Sequence, residues 1–297
     1  MINVLLSTYN GEAYLKELLD SVLNQVNVDL KLSIRDDGST DDTINIIKSY
    51  NDSRIDLKKN DFNMGAKKSF LCMVQNAMDA DYYAFCDQDD IWDKEKLSIA
   101  CDRLSVYSDE PALFISACEL IDSNSNVITY YDMNFDIPYS IPTTIMFRSP
   151  MGCTMVMNKK LKQIICQYEP ASIRMHDFWT LLVALSIKAK VIVDERALIK
   201  YRIHEKNTVG LDKSMLARIN QLLKSAVRNR YERSNQAREL LRGYSKLMDG
   251  ETIITLEKIA NYNKSVRNQY ALIMDKRFRW NTYIDSLFII SVILGVF

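Results

Sequence analysis

The chain has 297 residues, 47% of them hydrophobic and 26% charged, which excludes intrinsic disorder and fits one core domain of about 200 to 250 residues with an appendage. Formal net charge is zero but unevenly spread: residues 211–297 hold 15 Lys or Arg against 8 Asp or Glu, a net of +7, which leaves −7 for residues 1–210. An acidic body with a basic tail argues against nucleic-acid binding and suits a metal site joined to a surface that meets anionic lipid.

Residues 2–7 read as a short buried strand stopped by the turn cluster Thr8-Tyr9-Asn10-Gly11. Leu15, Leu18, Leu19, Val22 and Leu23 then recur at helical spacing within residues 12–25. A second strand, residues 30–34, runs into Asp36-Asp37-Gly38-Ser39, and Ser39 with Asp42 resembles a capping box for a helix to about residue 50. Residues 55–57 predict a third strand, and a helix of about 11 residues from Ser69 leads to a fourth, residues 82–86. Strands alternating with helices imply βαβ units and a parallel sheet, so the acids after strands two and four share its carboxyl edge with Thr8 to Asn10, where open α/β sheets bind ligands.

Further along, residues 94–107 read as an amphipathic helix and residues 113–121 as a strand. Residues 132–149 read as a loop, 151–157 as a strand and 159–168 as a helix. A helix then opens at His176-Asp177-Phe178-Trp179, followed by strands at residues 191–193 and 197–201. Six cysteines show no CxxC or Cys/His spacing, which predicts buried free thiols and a reducing, cytoplasmic setting; the N-terminus lacks a signal-peptide pattern. Residues 215–247 predict a long basic helical segment. The apolar run near residues 287–297, shorter than the roughly 20 residues that span a bilayer, follows Lys276-Arg277-Phe278-Arg279-Trp280. It reads either as an interfacial membrane anchor or as a segment packed on neighbouring helices or a partner, and self-association into a homo-oligomer stays open.

The stretch Cys86-Asp87-Gln88-Asp89-Asp90-Ile91-Trp92 places three carboxylates within four residues at the end of an apolar strand. Such acids repel one another unless a cation lies between them, and a hard divalent ion carrying phosphate oxygens suits that role; the alternative is a solvated acidic turn opening a helix. The two histidines, His176 and His204, both fall in polar-aromatic clusters outside the apolar repeats.

Taken in order, Ser7-Thr8-Tyr9-Asn10-Gly11, Asp36-Asp37-Gly38-Ser39-Thr40-Asp41, Asn63-Met64-Gly65, Asp87-Gln88-Asp89-Asp90-Ile91-Trp92, His176-Asp177-Phe178-Trp179 and Tyr201-Arg202-Ile203-His204 resemble family 2 glycosyltransferases over about residues 1–210. The form of the acidic motif is similar to bacterial rhamnosyltransferases of surface polysaccharide assembly. The resemblance implies a GT-A fold, Rossmann-like with a mostly parallel sheet flanked by helices, as a nucleotide-sugar-binding and catalytic domain over residues 1–210, with residues 211–297 as a basic helical extension. It implies a nucleoside pocket at Thr8, Tyr9, Asn10, Asp36 and Asp37, and ribose and diphosphate contacts at Asn63, Gly65, Lys68 and Asp87. It further implies Mg²⁺ or Mn²⁺ on Asp87, Asp89 and His204, an acceptor or sugar pocket at Asp90, Trp92, His176 and Trp179, and a catalytic base at Asp177, whose alternative role is an N-cap of its helix.

The expected reaction is inverting, metal-dependent transfer of L-rhamnose from dTDP-L-rhamnose to a lipid-linked bacterial polysaccharide acceptor, capsule or O-antigen, at the inner face of the cell membrane. A UDP-hexose or UDP-HexNAc transferase is the alternative donor class. A nucleotide-sugar phosphotransferase or binding protein is the rival outside the class; it is disfavoured because the acidic motif follows the fourth strand rather than the first and all its carboxylates are present.

Overall fold

The computed structural model describes residues 1–131, 138–146, 150–204, 231–279, 282–295 and 297. Residues 132–137 and 147–149 of the expected loop, and residues 215–230 of the expected basic helix, lie outside the described residues.

Strands β1 (Ile2–Thr8), β2 (Leu30–Asp36), β3 (Ile55–Lys59) and β4 (Tyr82–Cys86) alternate with helices α1 (Leu15–Leu23), α2 (Thr43–Ser49) and α3 (Ala66–Asn76). The two-residue strand β5 (Ile91–Trp92), α4 (Lys96–Ser105), β6 (Ala112–Ile121), β7 (Val127–Tyr131) and α5 (Ile141–Met146) follow. Then come β8 (Met155–Asn158), α6 (Lys159–Ile165), α7 (His176–Ser186) and β9 (Lys190–Arg202). Four more helices complete the described chain: α8 (Glu232–Tyr244), α9 (Gly250–Asn261), α10 (Val266–Ile273) and α11 (Thr282–Ile293).

The sheet runs β3-β2-β1-β4-β8-β6-β9-β5, with β7 added beside β6. It is covered on both faces, which is why β1 is buried at nearly every position and apolar at Ile2, Val4, Leu5 and Leu6. Val4 and Leu6 enter one core with α1 and α4; Leu5 enters the other with α3, α7 and the C-terminal helices. The α1 spacing buries the five apolar residues singled out above.

Strands β1 to β4 are mutually parallel where they pair, with Thr8 opposite Asp36 and Leu6 opposite Cys86. β8 runs antiparallel to both β4 and β6, and β9 is parallel to β6. The carboxyl ends of β1, β2, β4 and β9 and the amino end of β8 therefore share one edge. Chain direction leaves no trace in a strand of four residues, so this inversion was not readable from periodicity.

Two further differences have local causes. The two strands expected between residues 191 and 201 are one strand, bulged where Ser116 pairs Asp194 and the next residue, Ala117, pairs Ala197. Asp194 Oδ1 accepts from the Arg196 N–H at 3.0 Å there, and this local turn interrupts the apolar pattern. The expected strand at residues 151–157 starts later, after a single 3-10 turn at Gly152–Thr154.

Candidate active site

Two acidic groups, at Asp36-Asp37 and Asp87 to Asp90, arrive at the common edge by the shortest route, a strand that ends. Asp36, the last residue of β2, is fully buried: Oδ1 accepts from Thr8 Oγ1 (3.0 Å) and Ser39 Oγ (2.5 Å), and Oδ2 from the Gly38 and Ser39 N–H groups (3.1 and 2.9 Å). Its carboxylate ties β1 to the following turn. Asp37 holds a second loop: it accepts from Asn60 Nδ2 and from the Met64 and Gly65 N–H groups at 2.7, 2.7 and 2.8 Å. Gly65 has φ +81°, a left-handed conformation that favours glycine, and it precedes α3. Asn63 Oδ1 accepts from the Gly65 N–H at 2.7 Å. Lys67 is spent on the Ile173 carbonyl at 2.9 Å, whereas Lys68 is exposed.

Gln88 organises the first turn, a role the motif did not disclose. Its Oε1 accepts from the Tyr9 N–H (2.8 Å) and its Nε2 donates to the Tyr9 carbonyl (3.1 Å), leaving the Tyr9 side chain 44% exposed at the crevice. Asn10, at φ +48°, accepts on Oδ1 from the Thr40 N–H at 2.9 Å.

The acidic turn divides into open and closed parts. Asp89 is partly exposed and its Oδ2 lies 2.8 Å from His204 Nε2. Asp90 is fully buried, with Oδ1 accepting from the Arg202 N–H at 3.2 Å. One ligand atom from each of Asp87, Asp90 and Cys153 lies within 4.8 Å of the others. Burial, then the charge of Asp89 and of Asp177, push the Asp87 carboxyl up to about 7. Asp177 thus approaches the platform closely enough to oppose its ionisation, and a cation between these acids would relieve that cost. On that ground the donor set fits a divalent metal: Asp87 and Asp89 offer hard oxygen ligands, with His204 beside them.

Asp177 stands in the first turn of α7, not at its cap, which is Met175; Oδ1 accepts from the Phe178 N–H at 2.6 Å. His176 is buried, its ring stacked on Phe70 (centroids 3.9 Å apart) and edge-on to Phe85 (4.7 Å), and neither ring nitrogen has a hydrogen-bond partner among the described residues. Burial holds its pKa down, against the opposing charge of Asp177. Gly152 allows this close approach: a Cβ there would meet His176 Nε2 at 2.7 Å and Asp177 Cβ at 3.4 Å.

Trp92 and Trp179 are 4% and 0% exposed and belong to the two cores, so the structure corrects their expected place in a sugar pocket. The same correction applies to Asp90 and His176, which are interior groups behind the crevice. The missed residue with the widest reach is Arg202, fully buried. It donates from Nε to the Asp89 carbonyl (2.9 Å), pairs with Glu17 Oε2 (2.5 Å), donates to the Asp122 and Ser123 carbonyls (3.2 and 3.3 Å) and stacks over the Tyr14 ring (4.3 Å).

The fold and this edge define an α/β protein with an acidic crevice at the carboxyl ends of its parallel strands. The chain belongs to glycosyl transferase family 2, whose sequence profile matches residues 3–177, and it is a glycosyltransferase. It is 32% identical over 247 residues to the dTDP-rhamnosyl transferase RfbG of Shigella flexneri, covering 77% of this chain and 81% of that one. It is also 34% identical over 117 residues to the abequosyltransferase RfbV of Salmonella typhimurium, covering 38% and 34% of the two chains. Staphylococcus aureus TarS 1-349, solved with UDP-GlcNAc, shares the fold at a TM-score of 0.60 and 18% identity, over 98% of this chain and 90% of that one. The mannosyltransferase PcManGT of Pyrobaculum calidifontis, solved with GDP-Man and Mn²⁺, aligns at 0.54 and 13% identity, over 100% and 80%.

Proposed function

We propose that this protein is an inverting, divalent-metal-dependent transferase that moves L-rhamnose from dTDP-L-rhamnose to a hydroxyl of a lipid-linked bacterial polysaccharide acceptor. The likeness to a dTDP-rhamnosyl transferase supports the donor; the UDP-Glc:alpha-D-GlcNAc-diphosphoundecaprenol beta-1,3-glucosyltransferase WfaP of Escherichia coli, 35% identical over 98 residues and 33% of this chain, 39% of its own, supports a lipid diphosphate acceptor and keeps UDP-hexoses and UDP-HexNAc as the second donor class. The observation that carries the reading is the arrival of Asp36, Asp87 and Asp89 at one sheet edge, with the helix that bears Asp177 opening beside it; burial first, then the charges of Asp89 and Asp177, hold the Asp87 carboxyl above its usual range.

In this scheme Thr8 to Asn10 and Asp37 surround the nucleoside, with Asp36 bracing the turn from behind. Asn63, Gly65 and Lys68 meet the diphosphate, and Asp87 and Asp89 with His204 hold Mg²⁺ or Mn²⁺. The bound metal supplies Lewis-acid stabilisation of the negative charge on the departing diphosphate. Asp177 takes the acceptor hydroxyl proton on Oδ2 as that oxygen bonds to the anomeric carbon; the bond from that carbon to the phosphate oxygen breaks, its electron pair leaving with the nucleoside diphosphate. Attack from the face opposite the leaving group inverts the anomeric centre. The division into residues 1–210 and a basic helical extension is kept as an organisational proposal, as is a peripheral site of action at the cytoplasmic membrane face.

The test is a panel of nucleotide sugars scored for protection from unfolding with and without Mn²⁺. Metal-dependent protection by dTDP-L-rhamnose above the UDP-sugars is expected; none by any nucleotide diphosphate ends the proposal. Asp177→Asn should retain donor protection and lose about 10² to 10⁴ in transfer rate. Full transfer by that variant would remove Asp177 as the base.

A further inference from the structure

Lys67 stands in the first turn of α3, beside the Gly65 turn, where a cation for a diphosphate would be expected. Its ammonium group is committed elsewhere: Nζ donates at 2.9 Å to the carbonyl of Ile173, 106 residues further along the chain. The next residue, Lys68, is exposed. Three residues on from Lys67, and so on the same face of α3, Phe70 stacks on the His176 ring with centroids 3.9 Å apart. One helix face therefore holds the segment from Ile173 to His176 at both ends, and the residue that follows is Asp177.

The chain just ahead of that segment is fixed by a different element, α8. Glu239, 4% exposed, accepts on Oε2 from the Ala171 N–H at 2.7 Å and from the Tyr168 hydroxyl at 3.0 Å, and Gln236 Nε2 donates to the Ser172 carbonyl at 3.3 Å. Gly243 lets the helix come this close, since a Cβ there would meet the Tyr168 ring at 2.5 Å. The two anchors differ in where they lead. Those on α8 end in the core cluster through Leu240 and Tyr244, whereas the one on α3 leads back to Asn63, Gly65 and Ala66, all exposed at the turn assigned to the donor.

We propose, on the base and donor-site assignments given above, that Lys67 is a positioning residue and not a phosphate ligand: it ties the segment ahead of Asp177 to the start of α3, so that filling the donor side fixes the base before an acceptor arrives. Without it the Ile173 carbonyl loses its partner and the segment keeps only its α8 anchors and the His176 stack. The Asp177 carboxylate is then less well held against the attacking hydroxyl. Proton transfer needs hydrogen-bond reach, so a small loss of register lowers the rate of the chemical step while the donor contacts stay in place.

Amide hydrogen exchange of residues 168–177, followed in the full chain with and without saturating dTDP and Mn²⁺, tests the connection without any acceptor. The nucleotide should slow exchange across this segment in the wild type, and the slowing should be lost in Lys67→Met. Steady-state hydrolysis of dTDP-L-rhamnose, with water in place of the acceptor, gives the second readout. Lys67→Met should lower kcat about tenfold with little change in KM, a displacement short of the 1 Å that costs about a hundredfold. Lys68→Met should instead raise KM. Lys67→Arg, which keeps a donor for the carbonyl, should restore most of kcat. Equal slowing of exchange in the wild type and Lys67→Met overturns the inference, as does a Lys67→Met protein whose KM rises at constant kcat, which would make Lys67 a phosphate contact after all. Either result leaves the transferase reading standing, because the wild type still binds and turns over the donor. Wild-type protein that binds no nucleoside diphosphate with Mn²⁺ defeats that reading, and with it this inference.

Discussion

His176 carries a charge-dependent cost that can be measured without substrate. Its ring is caged by Phe70 and Phe85, with both nitrogens unpartnered among the described residues, and burial holds its pKa below the ordinary 6.5. The folded state therefore resists a proton that the unfolded state accepts, so the associated stability is present above pH 6.5 and is lost as pH falls below it. We expect His176→Phe, which keeps the stack, to flatten the decline of the denaturation midpoint between about pH 6.5 and 5. Parallel profiles for the two proteins would show that the imidazole is not the titrating group. The same residue shows what was legible at this scale. Its position beside Asp177 was visible in the sequence, but its burial was not, because it depends on Gly152 leaving room from a segment 24 residues away. Lys96 and Arg202 were hidden for the opposite reason: a charge in an amphipathic pattern reads as solvent-facing, and here both are fully buried.

At the scale of elements, the first half of the sheet followed from pattern because each βαβ unit is local: an apolar run, a polar turn, and a helix with a 3.6 period. The second half depends on pairings between distant segments. The direction of β8, the bulge in β9 and the two-residue β5 have no counterpart in periodicity. Arg202 is where this non-local half is locked to the local one. From the last position of β9 it reaches the Asp89 carbonyl, Glu17 on α1 and the turn after β6. Lysine keeps the charge but not the planar fork that serves these acceptors together. Arg202→Lys should therefore cost about 2 to 4 kcal/mol in denaturant unfolding, since several buried acceptors lose their donors together. A loss below about 0.5 kcal/mol, the usual range for changes away from such features, would mean that Arg202 is incidental to the assembly.

For the molecule as a whole, the composition break near residue 210 and the packing of the core have different meanings. Leu240, Tyr244, Leu256, Leu272, Phe288 and Phe297 share a hydrophobic cluster with Leu5, Phe85 and Trp179, so the C-terminal helices complete the core beneath the sheet. Part of the terminal apolar run is thereby internal: Phe288, Val292 and Phe297 are 2%, 0% and 1% exposed. Among the described residues no helix is long and apolar enough to cross a membrane. The outer face differs. Val266, Tyr270 and Met274 stand at successive helical turns, 80%, 63% and 57% exposed, and Ile290, Ile293 and Leu294 are 52%, 60% and 60% exposed on the adjoining helix, joined by Gln269 Nε2 to the Val292 carbonyl at 3.1 Å. Exposed Lys264, Arg267 and Lys276 flank them. Apolar side chains bordered by cations match an anionic bilayer surface, and such a surface is the occupant that suits the lipid-linked acceptor proposed above. Because the run is partly core, deleting it would confound binding with unfolding; Tyr270→Ser with Ile293→Ser alters only the outer face. Wild-type protein should sediment with phosphatidylglycerol-containing vesicles and be released by high salt, and the double variant should bind them roughly tenfold more weakly at unchanged thermal stability, a modest fraction of the transfer energy of two large side chains. Equal sedimentation of the two proteins, or a wild-type dimer that the variant converts to a monomer with no vesicle binding in either, would assign the face to something other than lipid.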